Sequence, residues 1–300
     1  MDKLVEGEVA PRGSLAAAPA YAVQFFLIPL AVVAVTVLVY LGFRSLVTDE
    51  RSAQEYLAEI QTGGTSRRWP AAYELSRLMA DSDIAKDRTL GPALVKAFEA
   101  SREDDPRVRR YLALTLGRLT PPLPPDAVPA LTAALADADS ETVISAMWAL
   151  GSIGDPSVIP RLEEMYGSAD AGVRKMTVYA LGALPGDSQQ RVLATALNDP
   201  VPDVQWNAAV ALARHRSHEG VPVLQRMLDR EYVARTVKRT VSPDADIDPV
   251  GEVMIEALRA IAALRETSLR HEVANLSRAE PSLRVRQVAM DTLKALGPAS

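Results

Sequence analysis

The chain has 300 residues, 48% of them hydrophobic but only 5% aromatic, with a formal net charge of −5. Cysteine is absent, which excludes disulfides, thiolate metal sites and cysteine nucleophiles. The acidic balance argues against a nucleic-acid binder, whose affinity rests on basic side chains against phosphates, and the alanine- and leucine-rich composition favours packed helices over β-sheet.

Residues 1–20 form an amino-terminal tail in which Lys3 and Arg12 are diluted by Asp2, Glu6 and Glu8. Tyr21–Phe43 is densely apolar and uncharged. As a helix its 23 residues rise about 34 Å, enough for a hydrocarbon core of roughly 30 Å. Tyr21 and Tyr40 stand near the ends, where amphipathic rings favour the membrane interface, and Pro29 predicts a bend. The run is too long for a cleaved signal peptide, whose apolar region spans about 7–15 residues. The reading is a retained single-pass transmembrane helix in the cell membrane. Arg44, Arg51, Arg67 and Arg68 follow it, and the larger basic count places the rest of the chain on the cytoplasmic side.

Residues 44–65 read as a juxtamembrane helical stalk. Thr48 is the expected N-cap of a helix over Asp49–Gln61, and Gly63-Gly64 stops it. From residue 66 onward one pattern returns. "TVISAMWALGSI" (142–153), "VRKMTVYALGAL" (173–184) and "VQWNAAVALARH" (204–215) start 31 residues apart. "VRRYLALTLGRL" (108–119) matches upstream, and "VMIEALRAIAAL" (253–264) and "VRQVAMDTLKAL" (285–296) match downstream. "RRWPAAYELSRL" (67–78) is the first copy. Apolar residues fall at i, i+4, i+5 and i+8, one helical face. Shorter helices such as "AVPALTAAL" and "VIPRLEEMY" lie between, with Pro129, Pro160 and Pro222 in their first turns. Asp105-Pro106, Asp155-Pro156, Asp199-Pro200 and Asp248-Pro249 mark helix starts. Two helices per period predict an all-α fold, an α-solenoid of about seven two-helix repeats over 66–300.

The signature carried by Asp170, Val173, Arg174, Ala180, Leu181, Gly182 and Leu184, and by Asp105, Val108, Arg109, Leu116, Gly117 and Leu119, resembles the short HEAT-like repeats also found in phycobilisome lyases. The resemblance implies a HEAT solenoid, and it implies that the recurrent Asp and Arg belong to a ladder joining neighbouring repeats. Their spacing of four also suits a capping aspartate paired to the next turn. Trp69 reads as a plug on the solenoid's open end, and Trp148 and Trp206 as packing residues.

No catalytic motif and no cofactor site emerges. His215 and His218, three apart, lack a third ligand other than Glu219, so no metal site is expected. The spacing from Val204 to Val253 is 49 instead of 31, an insertion of about 18 residues at 229–250. "DADIDP" within it resembles a calcium loop, but Pro249 stands where glycine is required and Ile255 where glutamate is required. Arg230, Tyr232, Arg235, Lys238 and Arg239 gather in the insertion's first half and are the expected docking residues for an acidic patch on a partner, a solvated loop being the plainer reading. The functional expectation is a non-catalytic, membrane-anchored scaffold or adaptor for a protein partner, held to the membrane by Tyr21–Phe43, with neither nucleic acid nor small-molecule ligand. The alternative, from the resemblance alone, is a chromophore-handling protein similar to bilin lyases.

Overall fold

The computed structural model describes residues 28–47, 51–237 and 248–298. The chain divides into two units, Met1–Ser52 and Ala53–Ser300. The described part of the first is α1 (Ile28–Val47), whose side chains from 29 to 42 are exposed. The expected span begins at Tyr21, outside the described residues. Among the described residues no helix is long and apolar enough to cross a membrane. Ile28–Phe43, the apolar part of α1, rises only about 24 Å at 1.5 Å per residue.

The second unit is a two-layer stack of helix pairs, and among the described residues all its regular elements are helical. The pairs open with α2 (Ala53–Thr62) and α3 (Thr65–Leu78); a single turn, α4 (Ser82–Ala85), follows. Next come α5 (Leu90–Ala100) with α6 (Pro106–Leu116), α7 (Ala127–Ala133) with α8 (Ser140–Ile153), and α9 (Ile159–Met165) with α10 (Ala171–Ala183). Then α11 (Gln190–Ala196) pairs with α12 (Pro202–Arg214). The sixth unit has three helices, α13 (Val221–Met227), α14 (Arg230–Thr236) and α15 (Pro249–Leu264), and α16 (Arg270–Ala279) with α17 (Leu283–Leu296) closes the array.

The signature helices form one continuous row, α3 on α6, α6 on α8, and so on through α10, α12, α15 and α17. Leu116, Leu150, Leu181, Leu212 and Ile261 occupy the same position in successive copies and are fully buried. Each contributes roughly 1.5–3 kcal/mol by leaving water. From α6 to α12 the row is tight because a glycine stands at each contact. A Cβ built on Gly117 would fall 2.6 Å from the Ala149 Cα, and one on Gly182 would fall 2.4 Å from the Ala211 Cβ. Gly151 meets Ala180 in the same way at 3.0 Å.

Ion pairs stitch the repeats. The capping role of Asp170 is present, its Oδ1 accepting from the Gly172 and Val173 amides. Arg174, however, reaches forward to Asp199, 2.8 Å away in the next repeat. Arg109 likewise meets Asp137 at 2.6 Å and Arg110 meets Asp139 at 2.5 Å. The i,i+4 pairing is replaced by a pairing between neighbours because the short helix packed alongside carries its own acidic loop within reach. Asp199 accepts from the Val201 amide, yet its carboxylate also takes the Tyr166 hydroxyl at 3.1 Å and the Arg174 guanidinium.

The helix read as a stalk is seated on the array. Ala53, Leu57 and Ile60 of α2 are buried, and α2 packs on α3 and α5. Arg68 donates to the Ile60 carbonyl at 2.7 Å and pairs with Asp104 at 2.5 Å. Trp69 is half-buried beneath the Arg107 guanidinium, 4.3 Å from the ring centroid, so α2 covers the flank of the array assigned to Trp69 by its sequence position. The expected N-cap, Thr48, lies outside the described residues.

Candidate binding site

The insertion is partly helical. Asp229 opens α14 by accepting from the Glu231 and Tyr232 amides at 2.9 and 3.2 Å. Val233 then buries completely, seating α14 on α13 and α15. Asp248 caps α15 at the insertion's far end, accepting from the Gly251 amide at 2.9 Å, as its place before Pro249 predicts. Arg230 joins the two ends: its guanidinium lies 2.8 Å from Asp248 and 2.6 Å from the buried Glu280 of the following unit. The Asp248 hydrogen bonds push the Arg230 pKa further up, and the same contact holds the Asp248 carboxyl below its usual range.

The five expected docking residues therefore take different places. Arg230 closes the frame of the insertion from inside. Tyr232 sets its ring edge against Trp206, with centroids 6.2 Å apart and planes at 71°. Arg235 is exposed and has no acidic partner among the described residues. Lys238 and Arg239 lie outside the described residues.

Beside the insertion the row of signature helices opens. A groove runs between α12 and α15 as three adjoining hollows. One of about 260 Å³ is lined by Tyr179, Trp206, Val210, Arg214, Met227 and Val253. A second, wider hollow of about 730 Å³ shares Trp206, Asn207 and Val253 and reaches Thr236 and Val237 at the end of α14 and Pro249 at the start of α15. A third, of about 260 Å³, lies between Ala213 and Ala260. The apolar core also divides here, one cluster ending at Leu212 and the other beginning at Trp206, on two faces of the same helix.

The sequence of α12 departs from its neighbours beside the groove: where α6, α8 and α10 make their tight approach at Gly117, Gly151 and Gly182, α12 carries Ala213. Gln205 also replaces the ladder arginine, and its amide donates to the Asp199 carbonyl of its own repeat at 2.7 Å. The next copy carries the same two departures, at Met254 and Ala262, so the break in period was the available signal for this place.

The histidines near it do not converge. His215 faces the Gln189 amide at 3.3 Å, whereas His218 pairs with Glu266 at 2.6 Å. Among the described residues no group of three or more His, Asp or Glu side chains is arranged to hold a metal ion.

Two-helix units, a glycine-spaced signature row and forward Arg–Asp pairs define an α-solenoid of short helical repeats. The match of residues 92–182 and 167–241 to HEAT repeats, spanning half of the sequence, makes the chain a member of the HEAT-repeat family. No curated protein matches the sequence. Among solved structures, the complex of CpcE and CpcF of phycocyanin lyase from Nostoc sp. PCC7120 is similar at 20% identity and a TM-score of 0.52, over 82% of this chain and 95% of that one. A designed armadillo repeat protein in complex with the peptide (KR)4 is similar at 15% identity and a TM-score of 0.43, over 82% and 100%. Human deoxyhypusine hydroxylase is similar at 17% identity and 0.35, over 80% and 84%. These likenesses are of fold.

Proposed function

We propose that the chain is a membrane-anchored HEAT-repeat scaffold that binds a partner protein and performs no chemistry of its own. The observation that carries the binding role is the framed insertion. Arg230, Asp248 and Glu280 tie α14 to the start of α15 and to the following unit, beside an apolar groove. Of its basic side chains Arg235 is exposed, and Lys238 and Arg239 follow it in the sequence, a basic run suited to an acidic patch. Tyr232 contributes to docking by fixing Trp206. Anchoring rests on the uncharged run Tyr21–Phe43, with the solenoid on the cytoplasmic side; confinement to the membrane plane raises the effective concentration of scaffold and partner.

The test compares crosslinked capture from native membranes by the full chain and by a chain whose residues 238–247 are exchanged for a glycine–serine link, leaving the Arg230 clamp intact. Defined partners captured by the first and lost by the second are expected. Equal capture would remove the insertion from the interface. Extraction of the protein by alkaline carbonate would overturn the anchor, and protection from protease added outside intact cells is expected for a cytoplasmic solenoid. A visible absorption band on the purified chain would favour the chromophore-handling alternative.

A further inference from the structure

The groove between α12 and α15 has a chemistry of its own. Its wall is apolar over Tyr179, Trp206, Val210 and Val253, and its acids are matched. Glu256 holds Arg259 at 2.8 Å and Asp203 faces Lys175 at 3.8 Å. Arg214 is different: it is exposed, stacks over the Tyr179 ring at 5.7 Å, and meets no carboxylate among the described residues. At the other mouth, Arg235 is unmatched in the same sense, one residue from Thr236 in the groove wall. The surplus charge along the groove is thus positive. Trp206, only 5% exposed, has its indole N–H buried with no acceptor among the described residues, in the side chain that walls two of the hollows.

We propose that this groove seats an extended acidic segment of the partner protein. An aliphatic side chain enters the hollow beside Trp206, and a flanking carboxylate pairs with Arg214. The proposal rests on the partner-binding reading above and assigns the chemistry of the bound segment. Arg214 is suited to this, because a guanidinium already stacked on an aromatic ring is held in place for a two-pronged contact with a carboxylate. The hollow beside it, at about 260 Å³, admits a leucine side chain.

The test is fluorescence polarisation with the full chain in detergent and a labelled ten-residue peptide carrying one central leucine between runs of Glu and Asp. Two companion peptides replace the leucine by serine or every acid by lysine. Binding of the first is expected, with about tenfold loss for the serine peptide and none detectable for the lysine peptide. Arg214→Glu is expected to weaken the acidic peptide about tenfold or more and to gain the lysine peptide, while Arg214→Lys retains part of the affinity. Arg214 is itself exposed and stacks on the half-buried Tyr179 ring, so these variants are expected to keep the wild-type circular dichroism and melting temperature. Equal binding of the acidic peptide by the wild type and Arg214→Glu, or indifference to the leucine, overturns the assignment. If that happens while the chain exchanged at 238–247 still loses its membrane partner, the groove proposal falls and the scaffold reading stands. If the peptide binds as expected but no membrane protein is captured, the scaffold reading falls and the groove keeps its specificity.

Discussion

Gly182 of α10 faces Ala211 of α12 so closely that a Cβ on the glycine would lie 2.4 Å from the alanine Cβ. The same contact recurs for Gly117 with Ala149 and Gly151 with Ala180. It sets the close spacing of α6, α8, α10 and α12. Gly182→Ala is expected to force α10 and α12 apart and to destabilise the fold by roughly 1–3 kcal/mol, the usual penalty of overpacking. Gly151→Ala, where the nearest approach is 3.0 Å, is expected to cost less. Urea denaturation of the two variants checks the order.

The acid limb of stability contains a signature of the ladder. The Arg110 guanidinium, together with Thr142, holds the Asp139 carboxyl down at about 2 against an ordinary 3.8. A carboxyl depressed in the fold stabilises above its unfolded pKa, and that contribution is lost as pH falls through the folded value. The window is therefore pH 4 to 2, and its size is on the order of 2 kcal/mol. Asp139→Asn keeps an N-cap but removes the charge, so its stability is expected to vary less across that window. Thermal melts at pH 2 to 5 measure the difference.

Tyr166 supplies the opposite limb. Burial, and then its hydrogen bond to the Asp199 carboxylate, push its phenol up to about 12 from 10. Here the folded state holds the proton more tightly, so the contribution is complete below pH 10 and disappears by about pH 12. Tyr166→Phe is expected to lose this alkaline dependence, and ultraviolet titration should show an ionisation at about pH 12 in the wild type that the variant lacks.

Arg230→Ala leaves Glu280, buried in the next unit, without its counter-charge. Removing one member of a buried pair costs about 3–5 kcal/mol when the other stays charged. The loss is expected first at the insertion's base, seen as faster hydrogen exchange of the α14 amides before the rest of the array. Uniform acceleration across all repeats would instead mean that Arg230 supports the whole stack.

The seven-unit array was legible because the evidence for each helix is local. Apolar spacing marks the buried face, Asp caps the start, and Pro or Gly ends the preceding segment. Asp170 and Asp248 took the capping roles that their positions predict. What was not legible depended on neighbours. The helix Ala53–Thr62 has the same amphipathic pattern whether it stands alone or covers an end; packing against α3 and α5 decides between them. The arginines show the same limit. Arg174 has an acid four residues before it in sequence and another 2.8 Å away across the repeat boundary, and only folding selects Asp199.

The sequence by itself determined the repeat, its two-helix unit, the break in period at the insertion and the apolar run near the amino terminus, because periodicity and charge are properties of the chain. Tertiary structure decided which partner each charge meets, that the first part of the insertion is a helix clamped through Arg230, and that a groove opens beside it. The physical reason is that inter-helix distance is set jointly by residues far apart in sequence. Trp206 of α12 and Val253 of α15 wall one hollow only because the fold sets the two helices side by side.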